Sequence, residues 1–212
     1  MIDGKLVTDA QRQQPSEDAV LSRYVTIDKL IDFLVNARIT FTRLTQFEDR
    51  LEGVTPEHLL LNFASDRIAE EMAAPWLGEL AKIVTLNINP SRRNSLRQQR
   101  VDFQACNYAS CWYVNDHESV AMWQLYSRRD SVAIRIPFKA LSEELKASNF
   151  RLSGNRHERL RYGSLSYVRF NDVDQLKEYV IDESLQGFVK DQSYSHEQEF
   201  RIMLTTSPSQ VK

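Results

Sequence analysis

Residues 21–43, LSRYVTIDKLIDFLVNARITFTR, contain the pattern that decides the fold. The segment Leu21–Val25 is typical of a short strand, and Thr26 is a good cap for a helix that places Asp28 near its positive end. One face of that predicted helix carries Ile27, Leu30, Ile31 and Leu34. The segment Arg38–Arg43 then alternates between apolar and polar side chains, as a half-buried strand does. A strand, a helix and a second strand in close succession indicate mixed α and β structure.

The rest of the chain mixes the two periodicities without regular βαβ alternation. Further strands are predicted at residues 108–114, 131–136, 162–170 and 197–205. Helices are predicted at residues 56–73, 76–86, 91–104, 118–127, 138–147 and 173–189. We therefore predict one α+β domain over residues 19–212, in which helices flank a mixed, mainly antiparallel sheet and a helical insertion lies near residues 55–104. Residues 1–18 are polar without periodicity and are expected to form a flexible leader.

Composition restricts the class of protein. The chain has 212 residues, of which 42% are hydrophobic and 26% charged, and this balance suits one sizeable core rather than extensive disorder. The apolar runs are far shorter than the roughly 20 residues that cross a membrane, and the first residues lack a secretory pattern. We therefore expect a soluble, cytoplasmic protein of unknown oligomeric state. Cys106 and Cys111 are expected to be reduced thiols, and no metal site is predicted.

Charge is distributed unevenly along the chain. Residues 81–169 carry 15 basic and 7 acidic side chains, whereas residues 1–80 and 170–212 have balances of −6 and −4. A basic middle segment can attract a nucleic acid or an acidic protein. The acidic flanks can equally neutralise it within the fold, and the pI of about 6.1 favours this alternative.

Residues 197–204, EQEFRIML, are the strongest candidate for chemistry. In a strand, Glu197, Glu199 and Arg201 share one face, with the carboxylates about 6.6 Å apart. Lys190 and Tyr194 lie just upstream. Two like charges this close raise the pKa of one of them unless a cation compensates, and such pairs recur in active sites. The alternative is a solvent-exposed strand face that carries an ordinary ion pair.

Aromatic and cationic side chains form a second group of candidates. Trp112, Trp123 and Tyr126 are close enough in sequence to form one wall of a ligand pocket, although such rings are more often core residues. Arg23 and Tyr24 end the first strand directly before a helix, whose N-terminus can help to bind an anion. The alternative for Arg23 is an ion pair with a carboxylate.

Three blocks of the sequence resemble an uncharacterised bacterial family. The first is residues 21–53, the second contains Ser110-Cys111-Trp112 and Met122-Trp123 with Tyr126, and the third runs from Lys190 to Arg201 through the Glu-Gln-Glu segment. They are similar to domain of unknown function twenty-nine seventy-one, some of whose members are grouped with abortive-infection (AbiG-like) proteins. Ser22 departs from the family pattern, which has a tyrosine there. The resemblance implies a role in phage defence or in a toxin–antitoxin locus, and it implies no activity.

A more distant resemblance implies an activity. The order of parts is similar to that of ADP-ribosyltransferases: a strand with His or Arg before a helix, a strand with Ser or Thr before a short helix and a strand, and a last strand with Glu-x-Glu. The residues in those places are Arg23, Ser110 and Glu197 or Glu199. The resemblance implies that NAD is bound, that Arg23 holds its diphosphate or ribose and that Ser110 fixes the ribose or the catalytic glutamate. It assigns the stacking on nicotinamide to Trp112, Tyr126 or Tyr194.

Two hypotheses of different classes follow from these observations. In the first, the protein is an NAD-dependent ADP-ribosyltransferase-like enzyme with Glu197, Glu199 and Arg23 as catalytic candidates. The ligand-binding candidates are Tyr24, Ser110, Trp112, Trp123, Tyr126, Lys190, Tyr194 and Arg201. In the second, it is a non-enzymatic interaction module of a phage-defence system, an antitoxin or a protein that binds nucleic acid or protein. Its partner would then contact Arg92, Arg93, Arg97 and Arg100.

Overall fold

The computed structural model describes residues 5–6, 14–49, 51–54, 59, 90–146, 157–172, 175–176 and 185–206. The main helices of this part are α1 (Ile27–Asn36), α2 (Pro90–Cys106), α3 (Val120–Tyr126) and α4 (Phe138–Lys146). Its strands are β1 (Lys5–Leu6), β2 (Val20–Thr26), β3 (Thr42–Arg43), β4 (Asn107–Val114), β5 (Ser131–Pro137), β6 (His157–Ser164), β7 (Ser166–Val168), β8 (Val189–Asp191) and β9 (Glu199–Thr206). Short 3₁₀ turns occupy Leu44–Gln46 and Gln192–Glu197.

The strands form one large sheet and one small sheet. The large sheet has the order β1-β6-β9-β4-β2-β5, and β3 also pairs with β4. All its pairs are antiparallel except the parallel pair of β1 and β6. Strands β7 and β8 form a separate parallel pair. The prediction of an α+β fold with a mixed, mainly antiparallel sheet is confirmed.

Two strands, β2 and β3, pair with different parts of the same edge of β4. Strand β2 reaches it through Ser22, opposite Tyr113, and β3 reaches it through Thr42, opposite Ala109. The strand pairings of the described chain leave residues 110–112 without a partner on this edge. Beyond Ser22, β2 pairs with β5 alone, so the sheet splits between β2 and β4.

The two faces of the sheet bury different side chains. On one face Phe200, Ile202 and Leu204 of β9 pack in a core with Leu21, Trp112 and the apolar side of α4. On the other face Met203 packs with Leu44 and Phe188 in a smaller cluster. The predicted alternation of β9 is therefore correct from Glu199 onwards. Each large apolar side chain buried in these clusters contributes about 1.5–3 kcal/mol.

Helix α1 forms where the sequence predicts it, but it contains no fully buried residue. Its predicted apolar face is largely exposed, with Ile27, Ile31 and Leu34 among the exposed large apolar residues. Thr26 occupies the N-cap position without a side-chain capping bond to the helix backbone. Ala37 ends the helix in a left-handed conformation with φ 49°.

Several predicted boundaries differ from the observed ones. The strand predicted at 38–43 is limited to Thr42–Arg43, because the chain turns at Ala37 and only then approaches β4. The strand predicted at 162–170 is two strands, β6 and β7, and Val189 begins β8 instead of ending a helix. The predicted helices at 56–73 and 76–86, and most of the one at 173–189, lie outside the described residues. Two residues of the predicted leader, Lys5 and Leu6, pair with β6.

The largest correction concerns Glu197, which the sequence predicts to begin the last strand. It instead ends the 3₁₀ turn Gln192–Glu197, and the next residue, Gln198, has a left-handed conformation with φ 38°. The side chain of Asp191 starts that turn by accepting a hydrogen bond from the backbone N of Ser193. The strand spacing predicted for the two glutamates therefore does not apply.

Among the helices that the structure describes, none combines the length and the apolar character that crossing a bilayer requires.

Candidate functional site

Five charged side chains form a buried network next to β9, on the face opposite Phe200. They are Glu52, Lys190, Glu197, Glu199 and Arg201, and all are buried. The expectation of a solvent-exposed strand face therefore does not describe this surface. Charges removed from water to this extent require close pairing, because their desolvation costs several kcal/mol per ion.

Arg201 lies at the centre of the network and is 0% exposed. Its Nε donates to Glu199 Oε1 at 2.7 Å, and its Nη2 donates to Glu52 Oε2 at 3.2 Å. Its Nη1 donates to the second oxygen of Glu52 and, at 2.7 Å, to the carbonyl of Gly187. Burial opposes the charge of Arg201, but Glu199 and Glu52 outweigh it and raise the pKa of the guanidinium. Arg201 thus holds the loops that contain Glu52 and Gly187 against β9 through hydrogen bonds. It has no exposed surface that a ligand could contact.

Glu199 lies between two cations inside the network. Besides its bond to Arg201, it lies 3.8 Å from the Nζ of Lys190. Burial alone would raise its pKa, but Arg201 and Lys190 outweigh burial and lower it. Cys111 lies beside it on β4, where burial and Glu199 raise the pKa of the thiol. Glu199 is therefore an ionised partner of buried cations, and Cys111 remains a protonated thiol.

Glu197 is the buried member of the network that hydrogen-bonds a half-exposed side chain, Tyr126. Its Oε2 accepts a hydrogen bond from Lys190 Nζ at 2.6 Å, and its Oε1 accepts one from the hydroxyl of Tyr126, a residue that is 49% exposed as a whole. Burial and the bond to Glu197 raise the pKa of Tyr126, so that its phenol stays protonated. Burial disfavours the charge on Lys190, but Glu199 and Glu197 outweigh it and raise the pKa of the amine. A half-exposed phenol thus covers a buried carboxylate.

Two aromatic residues lie at the Glu197 end of the network: Tyr126 bonds Glu197, and Tyr194 lies against its partner Lys190. Trp123 and Tyr126 lie on the same side of α3, three residues apart, and the Trp123 ring contacts Tyr24 edge to face at 4.8 Å. On the other side, the ring of Tyr194 lies 4.4 Å from the Nζ of Lys190. Rings and a carboxylate at one site can hold a flat cationic group. We use the name rim site for these predicted residues: Tyr24, Trp123, Tyr126, Lys190, Tyr194 and Glu197.

Three predicted site residues lie on the opposite face of the sheet. Trp112 is opposite Phe200 in the main core, and its Nε1 donates to the Oγ of Ser110 at 3.1 Å. Both side chains are buried. The guanidinium of Arg23 lies 5.7 Å from the Trp112 ring and donates to the carbonyl of Thr40 at 2.6 Å. The structure therefore does not bring Arg23 and Ser110 into the rim site.

Arg23 lines a narrow cleft where β2 separates from β4. The cleft is also lined by Lys29, Phe33, Arg38 and Trp112, and no carboxylate is among its lining residues. Burial lowers the pKa of Arg23. Within the described part of the chain, Arg23 is half-buried and forms no ion pair. Such a cation favours an anionic ligand.

Glu52 is a loop residue that accepts hydrogen bonds from Arg201 and so completes the network. It is not among the site residues that the sequence predicts. Its only signal is the Glu-Gly pair that ends the first family-like block. Gly53 adopts φ 70°, and an added Cβ would lie 2.8 Å from the ring of Phe103, so the tight turn that buries Glu52 requires glycine. The carbonyl of Glu52 accepts a hydrogen bond from Gln104 of α2 at 2.6 Å.

No protein-family model, no curated protein and no solved structure matches this chain. The two resemblances noted in the sequence therefore stay predictions. In the part of the chain that the structure describes, no group of three or more His, Cys, Asp or Glu side chains is arranged to hold a metal ion.

Proposed function

We propose that the chain is an ADP-ribosyltransferase-like enzyme that cleaves the bond between nicotinamide and ribose in NAD, with Glu197 as its catalytic carboxylate. One observation carries the proposal: the buried carboxylate of Glu197 has one oxygen that, among the described residues, bonds only the phenol of a half-exposed tyrosine, Tyr126. Cleavage of a glycosidic bond passes through a cation on the ribose. A fixed carboxylate beside that cation stabilises it, and such electrostatic stabilisation usually contributes more to catalysis than any other effect.

Glu197 suits this role better than Glu199. Both oxygens of Glu199 face the cations of Arg201 and Lys190, and its side chain lies inside the network. Glu197 has one lysine partner, and its other oxygen is bonded to a neutral group that a ligand can replace. The sequence leaves open which of the two glutamates is catalytic. We therefore assign the catalytic role to Glu197.

The rest of NAD has chemically suitable partners on the two opposite faces of the sheet. The rings of Tyr24 and Trp123 suit the cationic nicotinamide ring, whereas one face of Tyr194 already holds the ammonium of Lys190. The cleft at Arg23 suits the diphosphate, because three cations line it and, of these, Arg38 alone has a carboxylate partner among the described residues, Asp32 at 4.0 Å. The strands that carry Arg23, Ser110 and Glu199 are neighbours in the sheet, which agrees with the order of parts in the resemblance. Ser110 is assigned to the core and not to the ligand.

The reaction balances without a metal or a redox partner. The bond between ribose C1′ and the nicotinamide nitrogen breaks, and its electron pair leaves with neutral nicotinamide. A nucleophile of the acceptor, or water, supplies the new pair to C1′ and loses a proton to solvent. Glu197 stabilises the positive charge that develops on the ribose between these events, and Lys190 keeps the carboxylate in place.

The test is nicotinamide release from NAD in the presence of protein, DNA and RNA acceptors. We expect Glu197→Gln to reduce the rate by about 10²–10³-fold, because the amide keeps the shape but loses the charge. The matched control is Glu143→Gln on the exposed side of α4, which should leave the rate unchanged. Absence of release from the unaltered chain with every acceptor, together with no NAD binding in calorimetry, would overturn the proposal.

A second candidate is the interaction module, and the exposed helix α2 favours it. Arg97 is exposed and forms no ion pair with any residue in the described ranges, and Arg100 is half-buried. Arg92 and Arg93 belong to the same helix, of which the structure describes only the backbone at these two positions. Reversal of all four charges should abolish binding of a nucleic acid, and affinity should fall steeply with salt through counterion release. A flat salt dependence would exclude the nucleic-acid form. Either candidate suits a phage-defence or toxin–antitoxin locus.

A further inference from the structure

We propose that Tyr126 is a gate over the rim site, and that its phenol occupies the position that a ligand hydroxyl takes at Glu197. The inference rests on the proposed function, because it assumes that Glu197 binds the ribose. It adds a competition between a side chain of the protein and the ligand for one carboxylate oxygen.

Both oxygens of Glu197 are occupied in this structure. Lys190 occupies Oε2 at 2.6 Å, and the Tyr126 hydroxyl occupies Oε1. Lys190 is buried and also faces Glu199, so its ammonium is held by two charges. A ligand can therefore reach Glu197 only by replacing the phenol.

Tyr126 is held loosely enough to leave. It ends α3, a seven-residue helix in which Met122 is the only buried residue. Its helix neighbours Val120 and Leu125 are 73% and 58% exposed. Among the residues described, the bond to Glu197 is the one hydrogen bond that the Tyr126 side chain makes. Rotation of this side chain therefore breaks one hydrogen bond and little packing.

The chemistry of Glu197 restricts the ligands that can open the gate. Burial and Glu197 raise the pKa of Tyr126, so the phenol is a donor throughout the physiological pH range. A replacement must donate an equally good hydrogen bond, because a buried carboxylate oxygen without a donor is costly. A ribose hydroxyl meets this condition, and a deoxyribose that lacks the hydroxyl at that position does not. The gate thus selects ligands that carry a hydroxyl at this point.

The test is calorimetric binding of ADP-ribose to the full chain and to single variants. In Tyr126→Phe the ring remains but the competing hydroxyl is lost. We expect this variant to bind ADP-ribose about tenfold more tightly than the unaltered chain, because the ligand no longer has to replace one hydrogen bond to a charged group. In the double variant with Glu197→Gln the gain should disappear. Tyr108→Phe is the matched control, because its hydroxyl also bonds a charged side chain, that of Arg43, at the other end of β4.

Each result decides between the gate and its alternatives. If Tyr126→Phe binds ADP-ribose no more tightly than the unaltered chain, the gate proposal is wrong. If the unaltered chain nevertheless releases nicotinamide from NAD, the proposed function still holds. If no variant binds ADP-ribose and no nicotinamide is released, both proposals fail. Equal gains in Tyr126→Phe and Tyr108→Phe would indicate a general effect of losing a phenol and would also overturn the gate. Tyr126→Leu, which keeps bulk on an exposed helix, repeats the measurement without an aromatic ring.

Discussion

At the scale of single residues, Glu197 and Glu199 illustrate how position decides chemistry. They are separated by one residue, yet one is enclosed by cations and the other bonds a half-exposed phenol. The difference arises at Gln198, whose left-handed backbone turns Glu197 away from the ladder of β9. Two equal carboxylates thus acquire a structural and a proposed catalytic role through one backbone turn.

Removal of one partner from the buried pair of Arg201 and Glu52 should destabilise the fold strongly. Glu52→Gln leaves Arg201 with less than its full counter-charge inside the protein, and we expect a loss of about 3–5 kcal/mol in the free energy of unfolding. Urea denaturation followed by circular dichroism measures it. The matched control is Glu17→Gln, which removes an exposed partner 3.9 Å from Lys139 and should change stability by less than about 0.5 kcal/mol. Equal effects of the two substitutions would show that burial does not govern this pair.

The same network should make stability depend on pH at both extremes. The folded-state pKa of Glu199 is below its ordinary value of 4.5, so its contribution is present above pH 4.5 and is lost as the pH falls through the lowered pKa. The pKa of Lys190 is raised above 10.5, so its contribution is present below pH 10.5 and is lost as the pH rises further. Unfolding measured across this range should show a plateau with losses on both sides. In Glu199→Gln the acid-side loss should be smaller.

The residues of the buried network that the sequence predicts lie close together along the chain. The one network residue that it does not predict lies far from its partner in sequence. Lys190, Tyr194, Glu197, Glu199 and Arg201 are close in sequence and lie close together in the structure, although the strand alternation that grouped the two glutamates fails at Glu197. Glu52 is 149 residues from Arg201 in sequence, and no local pattern joins them. Arg23 and Ser110 were grouped with the glutamates by their order along the chain. That order predicts neighbouring strands but not which face a side chain occupies.

At the scale of elements, the helix and strand periodicities predicted most of the observed elements. Helices α2, α3 and α4 lie within a few residues of their predicted ranges, because capping residues and proline give local boundaries. Thr42–Arg43 and Glu197 were predicted poorly because left-handed residues, Ala37 and Gln198, redirect the chain close to them. A left-handed alanine or glutamine has no sequence signal comparable to glycine.

The end of α1 provides a prediction at this scale. Ala37 has φ 49°, a conformation that costs an L-residue about 1–2 kcal/mol and that glycine adopts without that cost. After the entropy that glycine loses on folding, we expect Ala37→Gly to stabilise the fold by about 0.5–1 kcal/mol in urea denaturation. Ala140→Gly, at an exposed position inside α4, is the control and should destabilise by about 1 kcal/mol. A destabilising Ala37→Gly would show that another contact holds this turn.

At the scale of the whole molecule, the sheet organises two chemically different regions. The acidic and aromatic rim site lies on one face, and the cationic cleft lies on the other, where β2 leaves β4. Strand β2 separates from β4 because, beyond Ser22, it pairs only with β5 among the described strands. The order of elements along the sequence does not specify these pairings and so could not predict the separation. A ligand with a cationic ring at one end and phosphates beyond it would need to pass this split to use both regions.

This arrangement predicts that Arg23 matters only for a ligand that carries phosphates. In Arg23→Ala the loss of one charge-assisted contact, about 1.5–3 kcal/mol, should lower kcat/KM for NAD by roughly 10–100-fold, chiefly through KM. Nicotinamide riboside lacks the diphosphate, so its cleavage should change little. Arg135→Ala is the matched control, since that exposed arginine also donates to a backbone carbonyl, that of Asp116, at 2.6 Å. If Arg23→Ala slowed both substrates equally, Arg23 would serve the fold around Trp112 instead of the diphosphate, and the two faces would not share one ligand.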